Sequence, residues 1–222
     1  YTPEVRDQLM AYFHVTDERH LWHLLRLDKM VMIDAPYRKL SEDALTNEWG
    51  SGLRKVSHNL GGVYEEVVFY PLAHATTVED VSAHQWPEPD LFDYGALVES
   101  CERYSQWTRM LSFISLFEIY CKLRPLDQSL MDLYVQEALA DALLEQIFLV
   151  QQAYIEKAFA ACDRGIDLVY LSDDMGMQDR QLIGTDVWEA RLAPWYRSLI
   201  EQIHAHGAKV FYHSDGAAFP II

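Results

Sequence analysis

Residues 166–176, IDLVYLSDDMG, and 208–216, AKVFYHSDG, are two apolar runs that each end in polar side chains followed by glycine. Between them lies TDVWEARLAPWYRSLIEQIHAHG (185–207), which reads as a helix capped by Thr185 or Asp186, broken before Pro194 and stopped by Gly207. Strand, helix and strand at this spacing make a βαβ unit, so the sheet they enter is parallel. The first run does not alternate, which predicts a strand buried on both faces. In parallel α/β folds ligands bind at the carboxyl ends of the strands, where the loops are free to vary. Both polar clusters stand at such ends. Neighbouring strands lie about 4.8 Å apart, so inward-pointing side chains from the two clusters would reach one ligand.

His213 and Asp215 are two residues apart and share a face of the strand, which suits chelation of one metal ion or the grip on one substrate group. The competing reading has Asp215 capping the next turn and His213 filling a satisfied core position. Of Asp173 and Asp174, one is expected to point inward and ligate or orient, and the other to cap the loop MGMQDRQ (175–181). A carboxylate pair this close could also raise one pKa for acid–base work.

The rest of the chain supplies more helices and a hairpin. TPEVRDQLMAYF (2–13) and DERHLWHLLRL (17–27) carry cap residues and helical spacing, as do residues 77–84 and 94–103. His20 and His23 are three apart on one helix, but packing explains them better than a metal, since no third ligand is near. Runs at 53–57 and 63–70 flank the turn cluster Asn59-Leu60-Gly61-Gly62, which predicts a β-hairpin. QWPEPDLFDY (85–94) reads as a proline-bearing loop, and WTRMLSFISLFEIYCKL (107–123) as a short strand near 108–113 running into a helix from about 115. From 127 to 162 apolar residues recur every three or four positions, giving one long helix or two, with Gly165 as the stop.

Composition excludes several classes of function. Half of the 222 residues are hydrophobic, and 18 Lys plus Arg against 34 Asp plus Glu leave a net charge of −16, which repels nucleic-acid backbones and anionic membranes. Cys101, Cys121 and Cys162 are widely spaced and read as small buried hydrophobes, not a disulfide or zinc framework. No run reaches the ~20 apolar residues of a membrane span, so a cytoplasmic, reducing location is expected. The chain opens at Tyr1 and stops just after a strand, and is expected to be part of a longer protein.

These residues carry a resemblance. YLSDDMGMQDRQLIGTDVWEARLAPWYRSLIEQIHAHGAKVFYHSDG (170–216) resembles a segment of the uroporphyrinogen decarboxylase superfamily: an Asp-Asp-x-Gly-x-Gln loop, a Trp-to-Pro helix, an approach HAHGAKV and a His-x-Cys-Gly strand end. PLAHATTVEDVSAHQWPEPDLFDY (71–94) resembles another of its regions, and the likeness runs from about residue 40 to 222. It implies a TIM-type (β/α)8 barrel, present as an incomplete central portion with an N-terminal helical segment and the hairpin, in a single partial domain over 1–222. One branch of the superfamily decarboxylates the acetate groups of uroporphyrinogen without a cofactor. The other transfers methyl groups between a corrinoid protein and a thiol activated by zinc. The arginine-bearing decarboxylase motif is not found here, which favours the second branch.

That resemblance implies Asp173, Asp174 and His213 as catalytic residues, Gln178 and Asp215 as substrate-binding residues, and His213 with Asp215 as metal ligands. Asp215 stands where the family often carries cysteine, a change that weakens the grip on soft metals and leaves more charge on the ion. Expected cofactors are zinc or another divalent metal and a corrinoid on a partner protein, or none for a true decarboxylase. Expected partners are a small-molecule substrate, a corrinoid protein and a second copy in a homodimer, with no nucleic acid and no membrane. A non-catalytic barrel that binds a small molecule is the alternative outside enzymes.

Overall fold

The computed structural model describes residues 2–40, 45–57 and 62–221. Four strands form one parallel sheet in the order β1-β4-β5-β6: β1 (Met30–Ile33), β4 (Thr108–Ile114), β5 (Leu168–Ser172) and β6 (Lys209–His213). Each strand of this sheet pairs with the sheet's next strand along the chain, so the sheet is wound in one direction without a reversal. β2 (Gly52–Ser57) and β3 (Val63–Phe69) form the expected antiparallel hairpin between β1 and β4. Three residues of the expected turn, Asn59, Leu60 and Gly61, lie outside the described residues.

β1 was not anticipated from sequence. MVMI is only four residues long and follows Asp28-Lys29, so its period is too short to declare itself. Its register settles the matter: Met30, Val31, Met32 and Ile33 pair with Thr108 through Leu111.

Helices cover one face of this sheet. α1 (Pro3–Tyr12) and α2 (Glu18–Leu25) lead in, each capped by the side chain before it, Thr2 and Asp17. α3 (Val78–Ser82) starts with a capping box between Thr77 and Asp80, and α4 (Tyr94–Arg103) is capped by Asp93. α5 (Phe117–Leu123), α6 (Leu126–Val135) and the 26-residue α7 (Glu137–Cys162) link β4 to β5. α7 is the spine: Leu143, Leu144, Ile147, Ile155 and Ala158 are fully buried, and α3, α4, α5, α6 and α9 (Ala193–Ala205) pack on it. Truncating any of its large buried side chains to alanine would cost about 2–5 kcal/mol.

Two stops differ in detail from expectation. α7 ends with Arg164 in the left-handed region (φ 61°), not Gly165. Gly165 is required for space instead, since a Cβ there would stand 2.6 Å from the Cys162 carbonyl and 3.2 Å from Cys101 Sγ. The expected break at Pro194 is a π-helical turn over Trp188–Leu192, between a short α8 (Thr185–Val187) and α9, which absorbs the hydrogen bond that proline cannot donate. Gly207 does end α9 as expected, at φ 83°.

The two faces of the sheet are unequal. Val31, Ile33, Leu111, Val169 and Leu171 point to the helices and are buried. On the other face Met30, Met32 and Phe211 are 45%, 44% and 41% exposed, and Tyr170 is half-buried. β5 is therefore not buried on both faces, because no described element covers its second side. Among the described residues no helix is long and apolar enough to cross a membrane.

Candidate metal centre at the carboxyl ends of β5 and β6

The alternation of β5 and β6 divides their terminal residues between the two faces. Tyr170, Ser172 and Asp174 alternate along one strand, and Phe211, His213 and Asp215 along its neighbour, with Ser172 paired to His213. Asp174, His213 and Asp215 consequently meet on the open face. One ligand atom from each lies within 4.8 Å of the others. His213 Nε2 is 3.7 Å from Asp174 Oδ1 and 3.6 Å from Asp215 Oδ1. Both aspartates are exposed and His213 partly so.

The backbone holds this cluster. The Asp215 N–H donates to Asp174 Oδ1 (2.8 Å), and the Met175 N–H donates to Ser214 Oγ (2.9 Å). The two loops then touch through glycines. A Cβ on Gly176 would come within 2.5 Å of the Ala217 nitrogen, and one on Gly216, at φ 79°, within 2.5 Å of the Gly176 carbonyl. Only glycine at both places allows the Ala217 N–H to reach the Met177 carbonyl at 2.8 Å.

Asp173 goes the other way. Its side chain is fully buried on the helix side, where it accepts hydrogen bonds from Ser115 Oγ (2.7 Å), the backbone N–H groups of Leu116 (2.9 Å) and Glu118 (2.5 Å), and the Tyr196 hydroxyl. α5 has no capping side chain of its own, so Asp173 supplies that cap from a neighbouring strand. Burial pushes its carboxyl up to about 6, against the hydrogen bonds from Tyr196, Leu116, Glu118 and Ser115 that favour the ionised form. The expectation that the aspartate turned away from the site caps its own loop is thus corrected: Asp173 caps a helix 57 residues earlier. Gln178 is exposed on the 175–181 loop, with no hydrogen bond to its side chain among the described residues.

Across 90% of its length the chain superimposes on a methyltransferase from Methanosarcina mazei, with a TM-score of 0.58. The fold resembles that methyltransferase's. Sequence identity is 15%, so the likeness is one of fold alone, and the chain spans 55% of the other protein's length. No protein-family model matches the sequence, and no curated protein matches it.

The donor set can be tested against the ions it might hold. Tetrahedral sites with bonds of about 2.0–2.2 Å have ligand-to-ligand edges of roughly 3.3–3.6 Å, close to the two histidine–carboxylate edges here. One imidazole and two carboxylates fit a borderline or hard divalent cation better than a soft one. Asp174 is the third candidate ligand, which the His-x-Asp spacing alone did not supply. A cavity of about 840 Å³ lies elsewhere, lined among others by Tyr37, Asn47, Gly50, Pro71, His84 and Trp86, and shares no residue with this cluster. The triad stands on an open face.

Other polar groups hold the scaffold. Arg124 and Asp132 form a buried ion pair (2.7 Å), and Arg124 also donates to the carbonyls of Leu72 and Ala75, tying the loop after the hairpin to α5 and α6. Cys101 and Cys162 bring their sulfurs to 3.1 Å where α4 crosses α7. A spacing of 61 residues gave no sign of that pairing.

Proposed function

We propose that the chain is part of a (β/α)8 barrel of the uroporphyrinogen decarboxylase superfamily, in its methyl-transferring branch, and that Asp174, His213 and Asp215 hold a divalent metal. The observation that carries this reading is the meeting of those three side chains at the carboxyl ends of adjacent parallel strands. Two features of the fold support the barrel. The strands follow chain order without reversal, and the bare apolar face is what the inside of a closed parallel sheet would present before its remaining strands are added.

A metal at this position would supply Lewis acidity, lowering the pKa of a thiol acceptor so that it attacks as thiolate. His213 would bind through Nε2, the atom that faces both carboxylates. The two carboxylates would offset the ion's charge and leave its remaining positions turned to the open face. The glycine contact between the loops fixes the separation of Asp174 and Asp215. Asp173 serves this site indirectly, by anchoring the strand end on which Asp174 stands. Gln178 lies on the loop beside it and is proposed to hydrogen-bond the substrate. A corrinoid protein is the proposed methyl donor.

The test is methyl transfer from methylcobalamin to a small thiol, followed by the change in corrinoid absorbance. Transfer that falls at least tenfold in His213→Ala supports the reading. Release of CO2 from uroporphyrinogen, with no methyl transfer, would replace it with the decarboxylase.

A further inference from the structure

A second, smaller cavity of about 210 Å³ opens at the carboxyl ends of β1 and β4. Its wall is aromatic and acidic: Tyr37, Trp49, Phe92 and Tyr154 supply rings, and Asp34 and Glu48 supply carboxylates. Among the described residues no lysine or arginine lines it. Arg38 and Lys39, next in sequence, are engaged elsewhere, with Asp93 (3.5 Å) and Glu88 (2.8 Å). Neither Asp34 nor Glu48 has an ion pair or a side-chain hydrogen bond among the described residues. Gln151, 6% exposed, lines the same cavity, and its amide likewise has no partner among them.

The rings are held in place before any ligand arrives. The Tyr154 hydroxyl accepts the Ala35 N–H (3.1 Å), and the Tyr37 hydroxyl accepts the Glu88 N–H (3.3 Å). Phe92 packs edge-on against both, at centroid distances of 4.9 Å to Tyr37 and 4.8 Å to Tyr154. The Trp49 indole packs edge-on against Trp86, with centroids 6.3 Å apart, and its backbone N–H donates to Asn47 Oδ1 (3.1 Å). Asp34 is solvent-exposed at the cavity mouth, yet enough protein surrounds its carboxyl for desolvation to raise its pKa.

Two uncompensated carboxylates call for a cation, and the wall decides which kind. A hard metal ion needs six or more oxygens, and with both tyrosine hydroxyls already accepting backbone N–H groups the wall offers few beyond Asp34, Glu48, Ser112 and Gln151. An alkylated ammonium spreads its charge over methyl groups that lie well against aromatic faces, and it asks for few hydrogen bonds. The net charge of −16 raises the local concentration of any such ion. We propose that this cavity binds a small methylated ammonium ion, its charge facing Asp34 and Glu48 and its methyl groups against Tyr37, Trp49, Phe92 and Tyr154. The proposal stands apart from the metal centre and does not rest on methyl transfer.

Calorimetric titration of the protein with choline and with tetramethylammonium, at constant ionic strength, tests it. The control is 3,3-dimethylbutan-1-ol, which has choline's shape without its charge. Saturable binding of both cations is expected, with the neutral alcohol roughly tenfold weaker or worse. Asp34→Asn and Glu48→Gln keep the shape of each side chain, and each should weaken choline binding by a similar factor. No saturable binding of either cation, equal binding of the alcohol, or variants that bind choline as the wild type does would each overturn the proposal.

Discussion

Asp173 and Asp174 are adjacent in the chain and do opposite work. The first faces the helices, is fully buried, and has its oxygens filled by four donors from the protein itself. The second faces the bare side of the sheet, is exposed, and meets His213 and Asp215. The same division runs through the whole sheet: aliphatic side chains packed under α7 on one face, exposed methionines and a phenylalanine on the other. A strand end can thus carry a structural anchor and a candidate ligand on successive residues, because alternation sends them to different environments. Side chains on the helix face should cost stability when changed, and those on the open face should cost binding.

The largest effect is expected from Asp173→Ala. It leaves the Tyr196 and Ser115 hydroxyls and two helix N–H groups without their acceptor, and should lower unfolding free energy in urea by about 3–5 kcal/mol. Wild-type Asp173 also makes stability depend on pH. Its folded pKa, about 6, lies above the ordinary 3.8, so the folded state binds the proton more tightly between those values. Asp173's contribution to stability should be fully present below about pH 3.8 and be lost, by up to about 3 kcal/mol, as pH rises through about 6, at 1.36 kcal/mol per unit. Asp173→Asn should flatten that slope; an unchanged slope would assign it to another group.

Gly216→Ala tests the loop contact beneath the triad. Gly207 and Gly216 both have positive φ, but a Cβ at Gly207 meets nothing within 4 Å. Gly207→Ala should therefore cost about 1 kcal/mol of backbone strain, and Gly216→Ala about 1–3 kcal/mol more because it also pushes the loops apart. Equal costs would mean the loops are not held by that contact. The smallest effect on stability is expected from His213→Ala, within about 0.5 kcal/mol, since its side chain is 38% exposed and makes no hydrogen bond among the described residues.

Much of this division could be read from the sequence, and its limits have physical causes. The βαβ unit at 166–216 declared itself through length, glycine stops and apolar runs, and it correctly set the parallel pairing of β5 and β6. Period-two alternation put His213 and Asp215 on one face, but the third member, Asp174, needed the register between strands, which no single strand encodes. Asp173 showed no sign of capping α5 because that contact crosses 57 residues. β1 escaped notice because four residues carry too little periodicity. The cavity around Asp34 and Glu48 draws its walls from five separate segments, so only folding assembles it.

The claim that the open face carries a ligand-binding centre is tested most directly by metal analysis of the purified protein alongside His213→Ala. Dialysis against zinc or manganese followed by elemental analysis should leave about one ion per chain in the wild type. The variant should keep none, with its urea midpoint measured in the absence of metal unchanged. A wild type that retains no ion, or a variant that retains it in full, would contradict the account.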